Sequence, residues 1–228
     1  MKRNLKSLIL ITVIVTSVFI GGCSLGRKEK VDTQNNMVNP KENIIEHVED
    51  NNDLEEGQFD FQRYESIISE EETPYVLINE DGEKVYLDEM SPEVIALSMA
   101  VVKYGEAMHN IDYETATGLE EYDLLTPELQ QAFTEEDASQ MLLEFYEKYK
   151  IKKEFIGIES YNYMEFNKDE AIVDVDYAFM CTNVEGIEGY EVGVVYYVPT
   201  KLKYKLVDDR WLMDEVLEIG EPYYYEEE

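Results

Sequence analysis

Past residue 150 the spacing of apolar side chains changes from a period of about 3.6 to a period of 2, and this switch sets the fold class. In 171–182 the odd positions Val173, Val175, Tyr177, Phe179 and Cys181 are apolar, opposite Asp174 and Asp176. In 190–206 the even positions carry the apolar set: Tyr190, Val192, Val194, Tyr196, Val198, Leu202, Tyr204 and Leu206. Opposite them lie Glu191, Lys201, Lys203 and Lys205. The phase survives Pro199, which places that proline at an edge or a mild kink within a strand. Strands over 152–166, 171–182, 190–206 and 211–219, with a turn at Val207-Asp-Asp-Arg210, predict an antiparallel meander with one wet face.

Upstream the pattern is helical. Ser91 is a good N-cap and Pro92 suits the first helical position. From Val94 to Met108 the chain is apolar almost all round, the mark of a buried helix. Asn110 and Asp112 end it, and 113–119 reads as a second short helix. Thr126-Pro127-Glu128 repeats the cap-then-proline signature for a brief third turn. Thr134-x-x-Asp137 approximates a capping box opening a helix striped by Met141, Leu142, Phe145 and Tyr149. Before all of these, Tyr75-Val-Leu-Ile78 and Lys84-Val-Tyr-Leu87 flank an Asp81-Gly82 turn, a small hairpin or linker over 75–90. Such a hairpin is marginal alone and is expected to pack on the domain that follows.

Residues 23–74 read as an acidic, disordered tether. Too few apolar residues lie there to offset the entropy of ordering, and like charges extend it. The run Asp50-Asn-Asn-Asp-Leu-Glu-Glu-Gly57 fails as a calcium loop. Counted from Asp50, positions 6 and 12 are Glu55 and Phe61 instead of glycine and a bidentate acid.

The first 22 residues form a leader. Lys2, Arg3 and Lys6 precede an apolar run from Leu8 to Ile20, too short for the roughly 20 residues that span a bilayer. Ile20-Gly21-Gly22-Cys23 then resembles a bacterial lipoprotein lipobox. That resemblance implies cleavage before Cys23, lipidation of its thiol and attachment to the outer face of the cell membrane. The two chains of a diacylglyceryl group give a stable anchor. Cys181, the other cysteine, then has no intramolecular partner and reads as a small buried hydrophobe.

Charge excludes one class of partner. Removing the leader leaves 51 acids against three fewer than the 19 bases, a net −35. Nucleic acid needs clustered Lys and Arg, so it is not an expected partner. Anionic headgroups are repelled, so the folded body stands off the membrane that holds it.

Helices followed by a curved antiparallel sheet predict an α+β domain over 91–220, closed by an acidic aromatic tail over 221–228. Its motifs are His109-Asn-Ile-Asp-Tyr113, Leu124-Leu-Thr-Pro-Glu-Leu129, Phe133-Thr-Glu-Glu-Asp137 and Asp209-Arg-Trp-Leu-Met213. With them the domain resembles the nuclear transport factor 2-like (cystatin-like cone) superfamily, especially its members in Gram-positive lipoproteins and penicillin-binding proteins. The resemblance implies a conical pocket inside the sheet. No Ser-x-x-Lys follows, so it implies no transpeptidase activity here.

Within such a pocket, Tyr104, Tyr177, Tyr196 and Tyr204 have inward parity, and Glu215 shares parity with Trp211 and Met213. An inward glutamate would have a raised pKa and could act as a base. A β-bulge near Asp214 would instead turn Glu215 to solvent. His47 lies in the tether and His109 at a helix C-terminus, where the dipole accounts for it, so no metal site or cofactor is expected. Lys201, Lys203 and Lys205 form a basic stripe that offsets neighbouring acids or docks an acidic partner or wall polymer. Three expectations follow: a non-catalytic binding module at the cell envelope, a ligand-binding or isomerase- or dehydratase-like pocket, or a part of a surface transfer or secretion assembly.

Overall fold

The change of period falls where the backbone changes. A helix over Ala138–Tyr149 ends at Lys150, which takes left-handed angles (φ 49°), and a strand over Lys152–Phe166 begins. The computed structural model describes residues 73–135 and 137–225. In chain order they form β1 (Tyr75–Ile78), β2 (Lys84–Tyr86), α1 (Pro92–His109), β3 (Ile111–Asp112), α2 (Pro127–Glu135), α3 (Ala138–Tyr149), β4 (Lys152–Phe166), β5 (Glu170–Asn183), β6 (Val195–Val207) and β7 (Arg210–Ile219). The leader, Cys23, the tether to residue 72 and the last three residues lie outside the described residues.

The fold is α+β. Its open, mostly antiparallel sheet runs β2-β1-β4-β5-β6-β7, and β3 pairs with β4. β4 to β7 form the expected meander. Four register shifts along β4 against β5 supply the local bends that curve the sheet. The hairpin is joined to that sheet, because β1 pairs in parallel with β4, with Tyr75 opposite Met164. Thr73 and Pro74, assigned to the tether, belong to the fold as well. The Thr73 hydroxyl donates to the Leu87 carbonyl (2.7 Å), and the Met164 N–H donates to the Pro74 carbonyl (3.0 Å). Gly82 takes φ +81° in the hairpin turn, a conformation that favours glycine.

α1 starts where Ser91 and Pro92 predict, with the Ile95 N–H donating to the Ser91 carbonyl. It buries Val94, Leu97, Val101 and Tyr104 against the sheet. Contrary to an all-round buried helix, Ile95 and Met99 are exposed, so α1 is two-sided. The core beneath it includes Leu77, Met164, Leu202 and Met213, all fully buried.

Several elements differ from expectation. No helix forms over 113–119. The Asp112 carboxylate accepts the Glu114 N–H and its carbonyl accepts those of Thr115 and Ala116, closing turns instead. Gly118 then takes φ +86° against the Ser139 carbonyl, where a side chain would collide. α2 is a full helix, not a brief turn. Thr134 lies inside it, donating to the Gln130 carbonyl, so Thr134 caps nothing; Asp137, in left-handed angles, precedes α3. α3 buries Ala138, Leu142 and Tyr146, while Met141 is exposed. β6 begins at Val195 rather than at 190, because Gly189 and Gly193 take positive φ and hold 184–194 as a loop.

Pro199 lies inside β6 opposite Asp176, and its carbonyl accepts the Gly220 N–H (2.7 Å). The side that lacks its N–H therefore faces the chain just past β7, where the ladder has ended. Beyond it the tail runs back along β6. Tyr223 and Tyr197 exchange both backbone hydrogen bonds, and the Tyr224 ring meets Tyr196 edge-on at 5.7 Å. The described part of the tail is thus a strap and not a frayed end.

Candidate functional site

Inward-facing positions of the sheet and the last turns of α1 leave a cavity of about 90 Å³. Period-2 geometry turns Tyr177, Phe179 and Cys181 of β5 and Val198, Thr200 and Leu202 of β6 into it. Tyr104, Met108 and His109 come from α1, and Tyr146 from α3. Ile151 and Lys153 close one side, Val184, Ile187 and Tyr190 of the β5–β6 loop another, and Val216 and Ile219 of β7 a third.

Lys153 is the only formal cation among these lining residues at neutral pH. Its neighbour Lys152 turns outward and pairs with Asp112 (3.0 Å) and Glu114 (2.6 Å). The register shift between the two lysines sets Lys153 opposite Cys181, facing in. Its Nζ lies 5.4 Å from the Phe179 ring centroid and 3.5 Å from His109 Nδ1, and it makes no ion pair with any described carboxylate. Lys153 as a residue keeps partial exposure, yet withdrawal from water pushes its pKa down to about 8. Cys181, Glu121 and Glu120 pull weakly in the opposite direction.

His109 corrects the dipole reading. Its ring stacks on Phe179 at 4.9 Å with a 3° tilt and lies parallel to Phe155 at 6.5 Å. Burial, and next the Lys153 ammonium, hold its pKa well below the usual imidazole range. A neutral imidazole gains little from a helix C-terminus; here it accepts from Lys153 and packs as an aromatic plate.

Behind the cavity, Glu121 precedes a 3-10 turn (Tyr122–Leu124) and is 3% exposed. Burial raises its pKa to about 7. It adds to the burial that lifts the Tyr104 and Tyr146 hydroxyls well above the ordinary phenol range. A raised carboxyl favours the fold most below pH 4.5, and that contribution disappears as pH rises to about 7. Glu121→Gln is therefore expected to stabilise the chain by roughly 1 kcal/mol at pH 7.5 and not at pH 4, since the amide still occupies a buried site. Urea midpoints at the two pH values measure this; equal effects at both would refute it.

The structure separates the five pocket candidates. Tyr104 and Tyr177 line the cavity, and the Tyr177 hydroxyl donates to the Val101 carbonyl (3.0 Å). Tyr204 is buried beneath, near Tyr177, and does not line the cavity. Tyr196 is buried in a neighbouring cluster, where its hydroxyl accepts the Glu191 N–H (2.7 Å). Glu215 is exposed and outside the cavity: opposite Lys203 and Tyr204 the ladder skips Asp214, and this bulge turns Glu215 to solvent. Of the lysine stripe, Lys203 pairs with Glu170 (2.7 Å) and Lys205 with Asp214 (3.0 Å). Lys201 lies between Asp174 on β5 and Glu218 on β7. The stripe sits on an interior strand and offsets local acids.

Lys153, His109 and Glu121 are the residues that sequence reasoning missed. The signal for Lys153 was its parity with Ile151 and Phe155, hidden by the polar look of Lys152-Lys153. Among the described residues no three His, Cys, Asp or Glu side chains gather as a metal site, and no helix is long and apolar enough to cross a membrane. The chain matches no protein-family model and no curated protein.

Proposed function

We propose that this chain is a lipid-anchored, extracytoplasmic binding module whose nuclear transport factor 2-like domain holds a small ligand in the cavity and catalyses no reaction on it. The observation that carries the reading is a recess walled by aromatic and aliphatic side chains with an ammonium that no carboxylate among the described residues neutralises. Such concave, mostly apolar sites with few polar groups are the usual form of ligand pockets. The lipobox at Cys23 and the acidic spacer support presentation at the cell envelope, away from the bilayer surface. The helices-then-meander order supports the superfamily assignment. An isomerase-like role depended on Glu215 as an inward base, and its exposure removes that support.

Full-length protein purified in detergent from its own membranes tests both halves of this reading. Intact mass should read a diacylglyceryl group on Cys23, and organic extraction should release a small molecule in near-stoichiometric amount. Val198→Trp, which fills the recess, should retain the far-UV circular dichroism spectrum and yield none. A bare Cys23 sulfur would overturn the anchor. An empty extract from the unsubstituted protein, or equal yield from Val198→Trp, would overturn the ligand.

A further inference from the structure

An ammonium in an apolar recess is an unsolved electrostatic problem for the protein alone. Charges removed from water normally carry a partner, because desolvation outweighs what an aromatic face and a neutral imidazole return. Around Lys153 every packed element has been used for something else. On α1 it meets His109 Nδ1, which only accepts. On β5 it meets the Phe179 ring and Cys181, whose thiol is kept protonated by burial. The acids nearest in charge, Glu120 and Glu121, act from the loop before α2 and do not line the recess. Tyr104, Tyr146 and Tyr190 are phenols that burial holds un-ionised. Among the described residues no carboxylate supplies the countercharge, and the recess is open to an anion that does.

Resting on the cavity reading above, we infer that the ligand is a small organic monoanion, an apolar body ending in one carboxylate, with the carboxylate paired to Lys153 and the body against Phe179, Val198 and Leu202. Size limits the body. The recess, about 90 Å³, is smaller than the roughly 150 Å³ engineered cavity that takes benzene, so a body of about three to six non-hydrogen atoms fits inside with the head at Lys153. A doubly charged head is disfavoured, since a single ammonium meets it and the chain is strongly acidic. Binding requires the ammonium form. Affinity is therefore level from about pH 6, where a carboxylic acid is ionised, to about pH 8 and falls above it, with the fall displaced upward once the ion pair forms.

Isosteric probe pairs isolate the charge: benzoate against benzamide, and butyrate against butyramide. Each is titrated by ligand-observed NMR onto the full chain in lipid nanodiscs, with empty nanodiscs subtracted. The acids should bind the unsubstituted protein at least tenfold more tightly than their amides at pH 7. Lys153→Met should lose that preference while amide binding stays within twofold, and Lys153→Arg should keep it in part. Equal affinity for acid and amide, or acid binding undiminished in Lys153→Met, would overturn the anionic ligand and leave the cavity reading standing. No saturable binding of any probe, or binding unchanged by Val198→Trp, would overturn both.

Discussion

Gly105→Ala is expected to lower stability by about 1–2 kcal/mol, although alanine is the better helix former by about 1 kcal/mol. Gly105 lies in α1, buried against the sheet. A Cβ there would stand 2.4 Å from Tyr177 Cε1, 2.7 Å from its Cδ1 and 3.0 Å from Phe155 Cε2. These are ring atoms of packed side chains, which can give way only toward the recess. Tyr177 is 1% exposed, and its hydroxyl is tied to the Val101 carbonyl one turn back on the same helix. Relief comes by tilting the ring into the recess, which removes ligand volume. Overpacking of this kind costs about 1–3 kcal/mol and exceeds the propensity gain. Urea unfolding reads the loss, and the probe titrations read the reduced recess. A more stable Gly105→Ala protein would show that α1 does not press on Tyr177 this closely.

Lys153→Met should act in the opposite direction, raising stability by about 2 kcal/mol at pH 7 while removing acid binding. Its folded pKa of about 8 lies below the ordinary 10.5. A depressed pKa means a contribution to stability that is present above pH 10.5 and lost as pH falls to about 8; at pH 7 the whole penalty is in place. The shift corresponds to about 3 kcal/mol at 1.36 kcal/mol per unit, reduced because the side chain retains some solvent. Methionine fills similar volume without a charge to desolvate. Unfolding at pH 7 and pH 10.5 checks the sign: the advantage should be large at the first and nearly gone at the second. A variant less stable than its parent at pH 7 would mean that the ammonium is solvated or paired. Retaining such a residue at a cost in stability is the usual relation between a functional site and the fold that carries it.

The two substitutions also show where reading the sequence stops. Cap chemistry at Ser91-Pro92 placed the first residue of α1, the Asp81-Gly82 turn placed the β1–β2 hairpin, and period placed the four long strands apart from the start of β6, because those signals are local. Period erred where local chemistry opposed the pattern. Asp112 diverts its neighbours into turns, and Gly189 and Gly193 hold a loop in a stretch whose even positions look like strand. Tyr190 still reaches the recess, but from that loop. Among the site residues, Tyr104 and Tyr177 were legible from parity, and the bulge that exposes Glu215 was foreseeable only as one of two outcomes.

Helix, hairpin and meander were determined by the chain's own alternation of apolar and polar side chains, since each contact that enforces it lies within a turn or across one strand. Parity separates two adjacent lysines onto opposite faces, but only the tertiary structure decided what each of them meets there. Lys152 meets Asp112 and Glu114, whereas Lys153, set opposite Cys181 where β5 skips a residue, lies against Phe179 and His109. Water removed by residues distant in the chain, His109 among them at 44 positions, and not the identity of the lysine, makes one of them ordinary and the other a binding group.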